Sequence, residues 1–344
     1  MSLYKLSYNF VFSYLIPSEQ KQYLQKEAWR FKRILKFWRR YLYMFFTKQL
    51  KLELNNIPHT SRNILWINTT APSLGDSLMD LAGRVLLENF NVDLYTSSKN
   101  SILYKYDSVF QNIYDENNMN FNKIYDLIIV DSYSPRSMRI KNQYFKDIPF
   151  VGMYGFVNGF DIHRTLFSIY RISELLGIEY QKTDLRPSIG TNNADDKFVD
   201  LYDKYLIVVV GGEWEFRTYK HWNAVIQKII DNENIVLIGS KNGIEDAEEI
   251  TAKYSTIKNF VGKTTINETA ILIRKSTSVI CCDGGLLHVA NALSKPVVSL
   301  FGEIEPYMRH TATDIHESLY DEKSVNNITP ESVYFAYLKL KEKL

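Results

Sequence analysis

Ser278 to Pro306 reads SVICCDGGLLHVANALSKPVVSLFGEIEP. The run SVICC is apolar enough to be a strand covered on both faces, DGG is a turn, LLHVANAL has helical spacing, PVVSL is a second strand, and FGEIEP turns again. An acidic residue and paired glycines between an apolar strand and a helix belong at the ligand edge of a parallel sheet, where helix N-termini meet anions. This stretch therefore predicts a Rossmann-like α/β lobe that binds a nucleotide or another phosphate-bearing ligand.

Working outward, the same alternation runs through most of the chain. Upstream, Leu206 to Val210 and Ile235 to Ile238 read as strands, with helices predicted around His221 to Asp231, Glu245 to Lys253 and Asn267 to Arg274, and Pro296 to Leu300 as the last strand. A first alternation covers strands Asn63 to Thr70, Val92 to Thr96, Asp126 to Asp131 and Ile148 to Met153, with a helix from Asp76 and another ending at Gly177. Gln181 to Asp200, rich in Asn, Asp, Thr and Pro, reads as the linker. The chain thus divides into a helical basic extension (1–60), a first Rossmann-like lobe (61–180), a linker (181–200), a second such lobe (201–329) and a C-terminal helix (330–344) expected to return to the first lobe. Its 344 residues suit two cores.

Composition excludes wholesale disorder: 45% of residues are hydrophobic and 23% charged. Cys281 and Cys282 adjoin on one strand and point to opposite faces, which argues against a structural disulfide and for a reducing compartment, the cytoplasm. The net charge of +2 is unevenly spread, for residues 1–60 hold 11 Lys/Arg against three Glu, a net +8 that leaves −6 for the remainder. Between residues 20 and 54 these bases interleave with Trp29, Phe31, Phe37, Trp38, Phe45 and Phe46. That pattern fits either helices packed on the first lobe with solvated bases or docking on an anionic membrane surface. No apolar run is long enough to span a bilayer, no cleavable secretory signal is evident, and no nucleic-acid-binding motif accompanies the charge.

Several residues can carry chemistry. Asp76, after Gly75 at the end of the first strand, is placed either to cap its helix or to take a proton as general base. Lys220, in the turn Gly211-Gly212-…-Arg217-Thr218-Tyr219-Lys220-His221-Trp222, can offer a mobile charge to a diphosphate, with Arg217 as a second ligand and a core Trp beside a solvated Lys as the plainer alternative. Gly284 and Gly285 would expose backbone N–H groups to an anion, whereas Asp283 suits sugar hydroxyls. His288 is either a diphosphate contact or a packed core histidine. Gly302 lies in a turn that would close the nucleotide pocket. Arg136, Arg139, Lys141, His163 and Arg164 suit an acidic or phosphorylated acceptor, or are simply solvated surface. The six His are dispersed, and no metal-ligand spacing stands out.

The order D-G-G-L-x-H-x-A-x-A-L-x-x-P-V followed by F-G-x-x-x-P resembles the C-terminal domain of glycosyltransferase family 9, the ADP-heptose:lipopolysaccharide heptosyltransferases; K-x-W at Lys220 to Trp222 and the G-D pair at Gly75 and Asp76 are similar too. The resemblance implies a GT-B fold with two Rossmann-like lobes facing a central cleft. It also implies inverting transfer from an ADP-heptose to a lipid A-Kdo type core acceptor without metal or other cofactor. In that scheme Asp76 is the base, Lys220 binds phosphate and Asp283 contacts the donor sugar. The partners implied are a nucleotide sugar and a lipid-linked glycan, at the cytoplasmic face of the inner membrane. The sequence departs from the family after Ile238, where an acidic ribose ligand is common but Gly239 to Gly243 stand here, leaving Glu245 as a substitute. A same-fold transferase of another nucleotide sugar for O-antigen or capsule, a nucleotide-sugar epimerase, and a non-catalytic nucleotide-sugar-binding scaffold are the alternatives.

Overall fold

The computed structural model describes residues 31–156, 163–192, 198, 201–212, 214 and 217–344. The chain forms two compact units that divide between Asp184 and Leu185, within the predicted linker.

The first unit opens with helix α1 (Phe31–Phe46), then strand β1 (Asn63–Asn68), helix α2 (Leu74–Asp80), β2 (Asn91–Thr96), β3 (Phe110–Tyr114), β4 (Leu127–Val130), α3 (Pro135–Tyr144), β5 (Phe150–Gly152) and α4 (Arg164–Leu176). Its five strands form a parallel sheet in the order β3-β2-β1-β4-β5. The apolar runs NILWIN and LIIV are buried because helices cover both sheet faces, and in register Ile64 pairs with Leu127 and Leu65 with Ile128.

The second unit contains β6 (Leu206–Val209), α5 (Trp222–Ile229), β7 (Ile235–Ile238), α6 (Ile244–Lys253), β8 (Lys258–Asn259), α7 (Ile266–Lys275), β9 (Ser278–Cys282), α8 (Gly285–Ala292), β10 (Val297–Gly302), β11 (His316–Asp321) and α9 (Pro330–Glu342). The sheet order is β11-β10-β9-β6-β7-β8, again parallel throughout. Neither Cys281 nor Cys282 forms a disulfide.

The structure corrects one expectation. Pro296 to Leu300 is not the last strand, since β11 continues the sheet beside β10. The C-terminal helix α9 sends Val333, Ala336, Tyr337 and Leu340 into the second unit's core, with Val225, Leu237 and Val298. In each sheet the order reverses direction beside its first strand: β1 is flanked by β2 and β4, and β6 by β7 and β9. The mouth between β1 and β4, and that between β6 and β9, are the positions where such sheets hold ligands, at the carboxyl ends of the strands.

Candidate functional site

At the first mouth, Ser73 caps α2 by accepting a hydrogen bond from the Asp76 backbone N–H, and its hydroxyl donates to Asp76 Oδ2 at 2.7 Å. The other carboxylate oxygen of Asp76 pairs with Arg164 Nη1, while 23% of the Asp76 side-chain surface remains exposed. Arg164 also reaches one helical turn further, its Nε lying 2.9 Å from Asp80 Oδ1, and Tyr154 O–H donates to the same oxygen at 2.7 Å. Burial lifts the Asp80 carboxyl to about 6 against the opposing pull of Arg164 and Tyr154. The Arg164 guanidinium is held well above its usual value because the charges of Asp80 and Asp76 and the Tyr154 contact outweigh the cost of its burial. Beneath this group, Asp131 Oδ2 at the end of β4 accepts from Thr69 N–H (2.7 Å), Thr70 N–H (2.8 Å) and the Thr70 hydroxyl (2.7 Å), fixing the turn that leads to Asp76. The arrangement is an oriented, partly solvated carboxylate paired with an arginine.

At the second mouth, Asp283 follows β9 with 1% of its side chain exposed, between Arg217 Nη2 and Arg309 Nε, each 3.3 Å away. Both Asp283 oxygens lie within ion-pair range of a guanidinium yet accept no hydrogen bond among the described residues. A buried carboxylate with open lone pairs is poised for hydroxyl donors, and buried polar groups are rarely left so. Next to it, α8 begins at Gly284 with no side-chain cap, leaving its first N–H groups available. A Cβ at Gly284 would meet nothing nearer than 4.0 Å, so neither packing nor its extended backbone demands glycine there. The space in front of that turn is open to a ligand.

Residues 163–324 match the family model "Glycosyltransferase family 9 (heptosyltransferase)". Over these residues the chain is similar to glycosyltransferase family 9. The lipopolysaccharide heptosyltransferase 2 of Escherichia coli (strain K12) is 34% identical over 92 residues, 25% of this chain and 26% of that protein. The chain thus spans about a quarter of the length of this curated relative. The solved glycosyltransferase family 9 structure from Veillonella parvula superposes with a TM-score of 0.71 at 15% identity, covering 82% of this chain and 98% of the other. The solved ADP-heptose lipopolysaccharide heptosyltransferase II of E. coli does so at 0.62 and 20% identity, covering 82% and 100%. These likenesses establish the GT-B type of fold.

The matched stretch includes Arg164, Arg217, Lys220, Asp283, Gly284, Gly285, His288 and Gly302, and the neighbouring strands β9 and β10 bring the Asp283 turn and the turn after Gly302 side by side. His288 is buried at 3% exposure on α8. Lys220 is exposed just before α5, its backbone N–H held by Asn326 Oδ1 at 2.8 Å, and Trp222 beside it is core. Gly211 and Gly212 are explained by packing: Gly211 has φ 84°, and an added Cβ would stand 2.6 Å from Gly243 N, while one on Gly212 would stand 2.7 Å from Thr218 Oγ1. Gly75 is buried inside α2. On the acceptor side, Arg136 and Arg139 are exposed on α3, whereas Lys141 is buried and bonded to Gln49 and to the Lys146 carbonyl (3.1 Å). Lys141 is therefore a structural cation, held down to about 8 chiefly by burial. His163 caps α4 and Glu245 is exposed on α6, while most of the loop between Gly155 and Gly159 lies outside the described residues. Among the described residues, no group of three or more His, Cys, Asp or Glu is placed to hold a metal ion.

Sequence reasoning missed Asp80, Tyr154, Asp131 and Arg309. Asp80 had a signal, standing four residues after Asp76 and hence on the same helix face. Arg309 had none, since a short 3-10 turn at Pro306–Met308 delivers it to Asp283.

Proposed function

We propose that this chain is an inverting glycosyltransferase that transfers a heptose from ADP-heptose to a lipopolysaccharide core acceptor of the lipid A-Kdo type. What carries the reading is the buried Asp283, bracketed by Arg217 and Arg309 at the uncapped start of α8, inside the family 9 match. In this assignment Asp283 accepts hydrogen bonds from donor sugar hydroxyls. The α8 N-terminus, with Arg217, Arg309 and Lys220, balances the charge of the departing diphosphate. Asp76, oriented by Arg164, takes the proton of the acceptor hydroxyl as it attacks the anomeric carbon. The new C–O bond forms as the bond to the diphosphate oxygen breaks, so configuration inverts. The reading assigns the leaving charge to Arg217, Arg309 and Lys220 and calls for no metal or other cofactor.

The E. coli relatives are named for lipopolysaccharide heptosyl transfer and ADP-heptose, which supports the choice of donor and acceptor. A soluble donor and a lipid-linked acceptor meet at the cytoplasmic face of the inner membrane, and the basic segment 20–54 would hold the enzyme there. Among the described residues, no helix is long and apolar enough to cross a membrane.

The test is a thermal-shift panel of ADP, GDP, UDP, CDP and TDP and their sugars, followed by ADP-release assays with and without acceptor. A ligand at 100 times its Kd adds about 2.7 kcal/mol of stability. Selective stabilisation by ADP and ADP-heptose, and ADP release that requires acceptor, is the expected outcome. Selectivity for UDP or GDP would replace the donor, turnover of donor alone would indicate an epimerase, and binding without any turnover would indicate a scaffold.

A further inference from the structure

Helix α1 has two working faces. Phe37, Arg40 and Met44 are buried against the first unit: the Phe37 ring lies 4.9 Å from that of Phe156, and Arg40 Nη1 donates to the Phe156 carbonyl at 2.8 Å. These contacts fix the helix to the lobe. On another face Phe31, Leu35, Trp38, Leu42 and Phe45 are exposed at alternating steps of four and three residues, joined by Phe46 at 75% exposure. That spacing lines them up as one stripe, and a contiguous exposed apolar stripe marks an interaction surface where single exposed residues do not.

Beside the stripe, α1 and the start of α3 enclose a cavity of about 290 Å³. Arg39, Arg40, Arg139 and Tyr43 line it, Leu42 and Phe46 form its apolar lip, and no carboxylate contributes to the lining. Burial, with a smaller contribution from the adjacent Arg39 charge, holds Arg40 down to about 10 despite the attraction of Asp131, a direction that an anion bound there would reverse. Planar guanidiniums are suited to phosphate oxygens. The volume fits a phosphate with a few attached carbons rather than a whole glycan. Residues 31–60 also carry seven Lys/Arg against Glu53 alone.

We propose that this cavity receives the phosphate headgroup of a lipid embedded in a bilayer, with the exposed stripe of α1 lying in the interfacial layer of that bilayer. Leu42 and Phe46 decide between a lipid and a free phosphate metabolite, because they belong to both the cavity lip and the stripe, so a headgroup in the cavity leaves its acyl chains beside the apolar face. The site deepens the membrane contact proposed above, giving it a defined face and headgroup subsite, and it is independent of the heptosyl chemistry.

The experiment is flotation of the full chain with vesicles of phosphatidylcholine alone or mixed with phosphatidic acid, using three double variants: Arg39→Gln/Arg139→Gln, Leu42→Ser/Phe46→Ser, and Lys48→Gln/Lys51→Gln as a remote control of equal charge. All six positions are exposed, so melting temperatures close to that of the parent serve as the folding check. Each basic residue near an anionic surface contributes about fivefold in affinity, so removing two by diffuse attraction alone costs about thirtyfold wherever they lie. Expected are binding only to the anionic vesicles, a loss well beyond thirtyfold for the arginine double, a clear loss for the Leu42/Phe46 double, and a loss of no more than about thirtyfold for the lysine double. Equal losses for the two charge doubles would overturn the cavity as the site. Indifference to lipid charge would overturn the proposal outright, as would stabilisation by glycerol 3-phosphate or inorganic phosphate in a protein that ignores vesicles. Flotation does not depend on ADP-heptose turnover, so failure of the transferase reading and failure of this one are read from separate assays.

Discussion

Replacing Asp76 by Asn removes the proton acceptor but keeps a side chain of the same shape beside Ser73 and Arg164. Its effect therefore reports chemistry more than folding. The expected outcome is a fall in kcat on the order of 10²–10⁴, the usual range for losing a general base, with ADP-heptose affinity retained; the check is a kcat and KM split together with a nucleotide titration. An unchanged kcat would assign Asp76 to capping alone. Arg309→Ala acts on the other lobe and should do the reverse, weakening ADP-heptose binding while leaving Asp76 and its partners untouched, because Arg309 stands 3.3 Å from Asp283, within the second unit. At this scale the sequence made Asp76 and Asp283 legible because each follows an apolar strand at a turn. It hid their partners: Arg164 read as acceptor surface and Arg309 as nothing, since neither distance along the chain nor residue type reveals which charge a fold will set against a carboxylate.

The helices and strands that sequence made plain are the buried ones. Runs such as LIVV and DLIIVD identify central strands because both of their faces are covered. The three strands that escaped, β3, β8 and β11, lie at sheet edges, and FQNIY, KN and HESLYD are too polar or too short to read as core. The glycine turns separate in the same way. Gly211→Ala would force a side chain into positive φ, costing about 1–2 kcal/mol before any clash with Gly243, and should lower the melting temperature. Gly284→Ala meets open space and should leave stability nearly unchanged while weakening nucleotide binding at the α8 terminus. Calorimetry paired with nucleotide titration checks both, and a Gly284→Ala protein with full affinity would remove that turn from the site. Edge strand β11 carries a further element-scale consequence. His316 stacks on His310 with ring centroids 3.9 Å apart, and its pKa is lowered to about 4, first by burial and then by His310. As pH falls from about 6.5 towards 4, the unfolded chain takes up a proton that the folded one refuses, so stability is lost through that window. His316→Phe keeps the ring and cannot titrate, and its melting temperature should fall less between pH 7 and pH 5 than that of the parent. Identical slopes would show that the stack does not resist protonation.

At the scale of the whole molecule, each unit is a parallel sheet with its own switch point, and the two switch points carry different chemistry. The first presents an arginine-paired carboxylate and no uncapped start of α2, since Ser73 caps it. The second presents the uncapped α8 and the two-arginine grip on Asp283. An anionic nucleotide is drawn to free N–H groups and guanidiniums and repelled by a carboxylate, so ADP alone should engage the second unit only. Hydrogen exchange of the full chain with saturating ADP tests this division. Added protection is expected in the turns after β6, β9 and β10, at residues 217–221, 283–288 and 302–309, and not in the turn at residues 69–80. Protection of the Asp76 turn by ADP as strong as that of the α8 turn would mean that the nucleotide contacts the first unit, and the assignment of donor and acceptor to separate sheets would have to be abandoned.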